Sequence, residues 1–358
     1  MRFSQEFRDR ALVEEIASRL SKTARATIME VCGTHTMSAA RFGLRSLLPP
    51  GVKLVSGPGC PVCVTDQHDI DCFLALGNVP GVVLATFGDM LRVPGSFTTL
   101  EKLRATGADV RVVYSPMDAL EIARGAPQAE VVFFGVGFET TMPATALAVR
   151  SAAEAGLANF SVFSVHKTMP PGLRALLSAQ AMRVSGLLLP GHVTTIIGAR
   201  AYDFIPREFG MPCAVAGFEP VDMMLGIESL LRQIESGKPI VDNVYPRAVG
   251  SEPNKQAADL IADVFSPADA AWRGIGIIPE SGARIAQAYG RFDARQRFAE
   301  VLSSVAPPAQ TDCRCGDVLR ASLAPADCPL FGSECTPTYP AGPCMVSSEG
   351  ACAAAYRY

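Results

Sequence analysis

The residues in this sequence most able to do chemistry are its cysteines. There are 11, and six of them, Cys313, Cys315, Cys328, Cys335, Cys344 and Cys352, fall within the last 46 residues. The gaps after Cys315 are 12, 6, 8 and 7 residues. Four thiolates suit an iron–sulfur cluster or a tetrahedral zinc ion. The spacing is not the common bacterial ferredoxin run, so it does not choose between the two. Six cysteines exceed four ligands by two. A spare pair beside a redox cluster can cycle between dithiol and disulfide, which zinc cannot drive. The plainer alternative is a cluster or zinc ion that only folds the tail.

Cys60 and Cys63 form a C-x-x-C in GPGCPVCVTD, directly after an apolar run. In an α/β protein of a reducing compartment this reads as a dithiol/disulfide couple. Half of a zinc site is the competing reading, but no second C-x-x-C completes it. On a strand-end loop the pair is expected to be accessible and to add little to a core. Cys32 lies in MEVCGTHTMSAARFGL, between strand-like residues and an amphipathic helix that Thr36 or Ser38 could cap. A thiol near a helix N-terminus has its pKa lowered, because the helix end favours the anion. His35 is then a second ligand, a proton carrier or the acceptor of the thiol proton. A buried cysteine beside a cap-forming histidine is the alternative.

His166 and His192 stand at predicted strand ends, facing the functional rim or bonded to loop backbone; His68 reads as solvated. Gly135-Val136-Gly137, ahead of a helix with Pro143 in its first turn, resembles a phosphate-cradling turn but lacks the lysine of a Walker loop. Glu139 and Glu219 sit at two similar Gly-Phe-Glu tips, as acid/base groups or as helix caps. The likeness hints at two related halves. Cys72 and Cys213 carry no motif and are expected in the core.

These groups need elements to position them. The chain has 358 residues, 49% hydrophobic and 19% charged, which allows two to three cored domains and excludes wholesale disorder. A net charge of −3 and a pI near 5.9 give no general pull toward nucleic acid or an anionic membrane. No apolar run approaches the roughly 18–20 residues of a transmembrane helix. The N-terminus is charged and lacks a signal-peptide apolar region, so a cytoplasmic location is expected. In that compartment, clustered cysteines argue for metal or redox chemistry rather than structural disulfides.

Leu12, Ile16 and Leu20 predict an amphipathic helix docked on another domain. Apolar runs at Val52–Val55, Gly81–Ala85, Val110–Tyr114, Glu130–Gly135, Phe160–Val165, Gly186–Leu189 and Cys213–Gly217 alternate with helical stretches. Such strands imply parallel sheets covered on both faces, with sites at the strands' carboxyl ends. After about Tyr245 the alternation fades into a helix-rich stretch and a tail that needs bonds to its cysteines to hold a shape. The expected division is a packing helix at 1–26, a first α/β domain at 27–150 holding Cys32 and the C-x-x-C, a second at 151–244, and a cysteine-rich, mainly helical and loop domain at 245–358.

Taken together, CGTHT at 32–36, GPGCPVCVT at 57–65, GFETT at 137–141, HKTMPP at 166–171, PGHVTTIIG at 190–198, GFEPVDMMLGI at 217–227 and the tail from DCRCGDVLR to GPCMVSSEGACAA resemble the hydrogenase maturation family HypD over nearly the whole chain. One departure is Asp66, where proline is expected after GPGCPVCVT. The resemblance implies an α/β fold with two similar parallel-sheet domains and a C-terminal domain carrying a 4Fe–4S cluster. It implies a metallocluster assembly factor rather than a conventional metabolic enzyme. In this family HypD and a small chaperone, HypC, form a complex that assembles the Fe(CN)2CO unit of NiFe hydrogenase, and HypE supplies cyanide transiently.

On that resemblance Cys32 holds the iron being built, His35 ligates weakly or moves protons, and Cys60 and Cys63 supply electrons. The family's cluster surroundings are similar to those of ferredoxin–thioredoxin reductase, where the first cysteine of a C-x-C ligates the cluster and the second joins a redox disulfide. Adjacent C-x-C residues on an extended segment point to opposite sides, which agrees. The resulting expectation is Cys313, Cys328, Cys335 and Cys352 as cluster ligands, and Cys315 with Cys344 as a redox pair. Two other classes compete: an iron–sulfur thiol–disulfide reductase, which has no use for Cys32, and a zinc-stapled binding module.

Overall fold

A computed structural model describes residues 6–20, 25–179 and 184–358. The expected N-terminal segment 1–26 therefore lies partly outside the described residues. Eleven strands are present among them: β1 Ala26–Glu30, β2 Val52–Ser56, β3 Val82–Thr86, β4 Asp109–Val112, β5 Glu130–Gly135, β6 Phe160–Ser164, β7 Gly186–Pro190, β8 Cys213–Ala216, β9 Val241–Asn243, β10 Phe265–Trp272 and β11 Gly276–Ile285. Two all-parallel sheets result, one ordered β2-β1-β7-β8-β9 and the other β4-β3-β5-β6.

The apolar runs are continuous because both faces of each sheet are covered. Met29, Leu187 and Leu189 of the first sheet, with Val31 just past β1, share one core with Val82, Leu84, Val132 and Phe134 of the second. The alternate residues, Val83, Ala85, Val131 and Phe133, pack under the helices Pro116–Gly125 and Met142–Glu154. On the first sheet Ile28, Leu54 and Leu188 face the helices Arg10–Arg19 and Pro220–Ser236. The N-terminal helix buries Val13, Ile16 and Leu20, while Leu12 is 37% exposed.

The expected boundary at residue 150 does not follow the sheets. β1 and β2 pair with β7 to β9, and β6 pairs with β5. The second sheet is inserted between β2 and β7 of the first, and one core spans both, so no sequential cut separates them. The stretch after Tyr245 is also less helical than expected. It folds back as the antiparallel hairpin β10–β11, which bridges Thr65 through Trp272 and Lys167 through Gly282. The tail follows as short helices, Cys315–Leu319, Pro343–Val346 and Ala351–Arg357, joined by turns. No described helix is long and apolar enough to cross a membrane.

Candidate functional site

In the first sheet the chain leaves β1 for β2 on one side and later enters β7 on the other. Loops diverge at such a switch and leave a crevice at the carboxyl ends. Cys32 follows β1 and His192 follows β7, and they meet there, with Cys32 Sγ 3.8 Å from His192 Nδ1. Cys32 itself is the N-cap of the helix Gly33–Arg41. Thr36 and Ser38 lie inside that helix and do not cap it; the Thr36 hydroxyl instead donates to the Cys32 carbonyl at 3.3 Å.

Cys32 is 1% exposed. Burial pushes its thiol up to about 12, the nearby Glu349 carboxylate adds to the rise, and the His35 N–H and Thr34 hydroxyl only partly oppose it. The expected lowering is overturned. A helix end contributes about 0.3–1 kcal/mol at most sites, and taking a thiolate out of water costs more.

His35 turns away from the sulfur. Its Nε2–H donates to the Gly217 carbonyl at 2.9 Å, and its Nδ1 is buried without a partner. Phe218 lies between the two imidazoles, with ring centroids 4.9 Å from His35 and 5.2 Å from His192. Burial lowers both histidines to about 4, so both are neutral near pH 7. The imidazole beside the thiol is thus His192, 160 residues away in sequence.

Cys60 and Cys63 are joined as a disulfide across the helical turn Pro61–Val64. They are 3% and 0% exposed, not accessible as expected, because the tail covers them. Ser347 Oγ lies 3.4 Å from Cys60 Sγ, and the turn Pro343–Val346 packs against Pro61–Val64. Two glycines let these loops converge. A Cβ at Gly59 would overlap the backbone of Val31 and Cys32, and one at Gly33 would come within 2.6 Å of Glu349. Glu349 accepts from the Thr34 hydroxyl at 2.5 Å. Its neighbour Ser348 donates through N–H and Oγ to Asp89, beyond β3 of the second sheet, at 3.1 and 3.0 Å. Sequence reasoning missed Glu349; SSEGA carries no spacing signal that ties it to Cys32.

All six tail cysteines line one small cavity with Leu330, Phe331 and Met345. Cys315 Sγ and Cys344 Sγ lie 2.7 Å apart in the core that also holds Cys60 and Cys63. Hydrogen bonds from Cys313 and Cys344 hold the Cys315 thiol well below its ordinary value. The same contact with Cys315, with Cys352 beyond it, pushes Cys344 up. Among the described residues no set of three or more His, Cys, Asp or Glu side chains is arranged as a formed metal site. The donor set itself is all sulfur, with no carboxylate or imidazole lining the cavity, and that suits iron–sulfur or zinc.

The remaining candidates lie away from Cys32. Glu139 is buried, its Oε1 accepts from the Met169 N–H at 2.7 Å and its Oε2 has no partner. Burial raises it to about 7. The turn after β5 thus places a buried carboxyl against the N-terminus of the helix that follows Thr168. Glu219 pairs with Arg8 instead. The two Gly-Phe-Glu tips are not equivalent, since β5 flanks its sheet's switch point and β8 is one strand further out. His166 is buried, with Nδ1 3.0 Å from Ser164 Oγ. His68 is half-buried rather than solvated, with Nε2 3.5 Å from the Cys72 sulfur. Cys72 and Cys213 are core residues.

The family model described as "HypD: Hydrogenase formation hypA family" matches residues 8–358. A hydrogenase maturation factor HypD of Rhodobacter capsulatus is 46% identical over 370 residues, spanning 100% of this chain and 98% of that protein. Those of Escherichia coli K12 and Azotobacter vinelandii are 45% and 44% identical, again across 100% of this chain and 98% and 97% of theirs. By family match and by full-length identity, the chain belongs to the HypD family of hydrogenase maturation factors.

Proposed function

We propose that this chain is the scaffold and redox component that, with HypC in the cytoplasm, assembles the Fe(CN)2CO unit from cyanide delivered by HypE. The observation that carries the reading is the convergence of Cys32, His192 and the Cys60–Cys63 pair at one crevice in a member of this family. Cys32 holds the iron cargo, shared with a cysteine of HypC. Cyanide and CO are strong-field ligands to ferrous iron, and a soft thiolate completes that sphere. A thiol near 12 must shed its proton as iron binds. Neutral His192 Nδ1 is the acceptor within reach. His35, whose Nε2 proton is committed to Gly217, positions Phe218 against His192.

Cyanide leaves a thiocyanate carrier with two electrons from the Cys60–Cys63 dithiol. The S–C bond breaks, cyanide binds the ferrous ion, the carrier is released as a thiol, the pair becomes a disulfide, and one proton is left over. Each further cyanide needs the disulfide reduced again. Cys313, Cys328, Cys335 and Cys352 would hold a 4Fe–4S cluster, which when bound supplies electrons one at a time. Cys315 and Cys344, packed in the core with Cys60 and Cys63, form the dithiol between them. A plain thiol–disulfide reductase leaves Cys32 and His192 without work.

Anaerobic co-purification with HypC, followed by infrared spectroscopy in the CN/CO stretching region, tests this. Bands are expected on the wild-type complex and not on the Cys60→Ala/Cys63→Ala variant; bands of full strength on that variant overturn the redox role. Iron and sulfide counts on six single Ser variants sort the tail. Cys315→Ser and Cys344→Ser should keep the cluster, and each of the other four should lose it.

A further inference from the structure

Away from the cysteines, a cavity of about 180 Å3 lies between the end of β6, the hairpin β10–β11 and the helix Gln67–Leu76. Its charged lining is Lys167, Arg284, Arg295 and a single carboxylate, Asp69. Asp69 Oδ1 is committed to Arg295, 2.6 Å from its guanidinium. Lys167 is 2% exposed, and its ammonium is 3.8 Å from Asp69 Oδ2, beyond hydrogen-bonding distance. Among the described residues it donates to no protein acceptor, and Arg284 makes no ion pair. Buried ammonium groups in folded proteins are hydrogen-bonded, and the protein groups around this one leave its donors open toward the cavity.

The position of Lys167 is fixed. Its N–H donates to the Gly137 carbonyl at 3.0 Å, and its backbone bridges Gly282 of the hairpin. Arg295 is held over the Phe163 ring, 4.2 Å from its centroid. Three basic side chains against the one carboxylate in the lining leave an excess of positive charge facing a cavity that has room for a tetrahedral anion; burial and Arg295 push the Lys167 ammonium down, and Asp69 and Asp66 oppose that.

We propose that this cavity binds a small dianionic oxyanion of the phosphate class, with Lys167 as a point-charge donor from below and Arg284 and Arg295 at the sides. A dianion offsets more of the excess than a monocarboxylate does.

The test is calorimetric titration of the full-length protein, purified anaerobically, with inorganic phosphate and in parallel with acetate, at constant ionic strength. Saturable phosphate binding is expected, with acetate at least several-fold weaker. Lys167→Met should weaken phosphate roughly tenfold or more, the loss of a hydrogen bond to a charged group. Arg284 is exposed at the rim, so Arg284→Gln should fold even if Lys167→Met does not, and should weaken phosphate several-fold. No saturable binding to the wild type, affinity unchanged in Arg284→Gln, or acetate equal to phosphate each overturns the proposal.

Discussion

At the carboxyl edge of the first sheet, the loops after β1 and β7 bring a thiol and an imidazole to 3.8 Å. At the corresponding edge of the second sheet, the loops after β3 and β5 bring two carboxylates, and both are used as clamps. Asp89 holds Ser348 of the tail, and Glu139 holds the Met169 N–H that opens the helix Met169–Ser178. The topology around the two switch points is the same, and the crevice it creates is general. What differs is the residue each strand delivers two to four positions past its end. The second sheet serves the first: its Asp89 fixes the loop Ser347–Gly350, which closes over Cys32 and Cys60.

The contrast breaks most severely at Gly59. A methyl group there meets the backbone of Val31 and Cys32, which cannot move aside as a flexible side chain would. Gly59→Ala should cost about 3–5 kcal/mol in urea unfolding, the range of the most damaging substitutions. Gly125, in a helix of the second sheet, has open space around it. Gly125→Ala should be neutral or stabilise by up to about 1 kcal/mol.

A smaller effect is expected from Glu139. Its folded value of about 7 lies above its ordinary 4.5, so the folded state binds a proton that the unfolded state has released between those values. Stability is therefore lost as pH rises from about 4.5 to 7, by about 3 kcal/mol in all at 1.36 kcal/mol per pH unit. Glu139→Gln keeps the acceptor for Met169 and removes the ionisation. It should raise stability at pH 8 relative to wild type and change it little at pH 4, as read by thermal melts at both values.

The mildest test is Asp89→Ala, which removes two hydrogen bonds to Ser348. Global stability should fall by about 1–2 kcal/mol, but Cys32 should become measurably faster to alkylate with iodoacetamide. Unchanged alkylation would mean that the tail loop does not depend on the second sheet for its closure.

Most strands were legible because a buried parallel strand is a continuous apolar run; β7, Gly-Leu-Leu-Leu-Pro, is the plainest case. β9 was missed because Val-Asp-Asn is short and polar. The hairpin was missed because Phe265–Trp272 contains proline, aspartate and alanines, with little β-propensity of its own. Its turn depends on Gly274 at φ +74°. The interleaving of the two sheets could not be read, since local patterning says nothing about which strands pair. For the same reason His192, rather than the nearby His35, proved to be the partner of Cys32. The helix-end argument for Cys32 failed because burial, a tertiary property, outweighed a local one.

The central claim is that Cys32 carries the iron at the first switch point and that the second carries none. Infrared spectra of the anaerobic HypC complex, taken on wild type, Cys32→Ala and Glu139→Gln, with tail-cluster absorption as the folding control, test it most directly. The account predicts CN and CO bands on wild type and Glu139→Gln, none on Cys32→Ala, and cluster absorption on all three. Full bands on Cys32→Ala would contradict it.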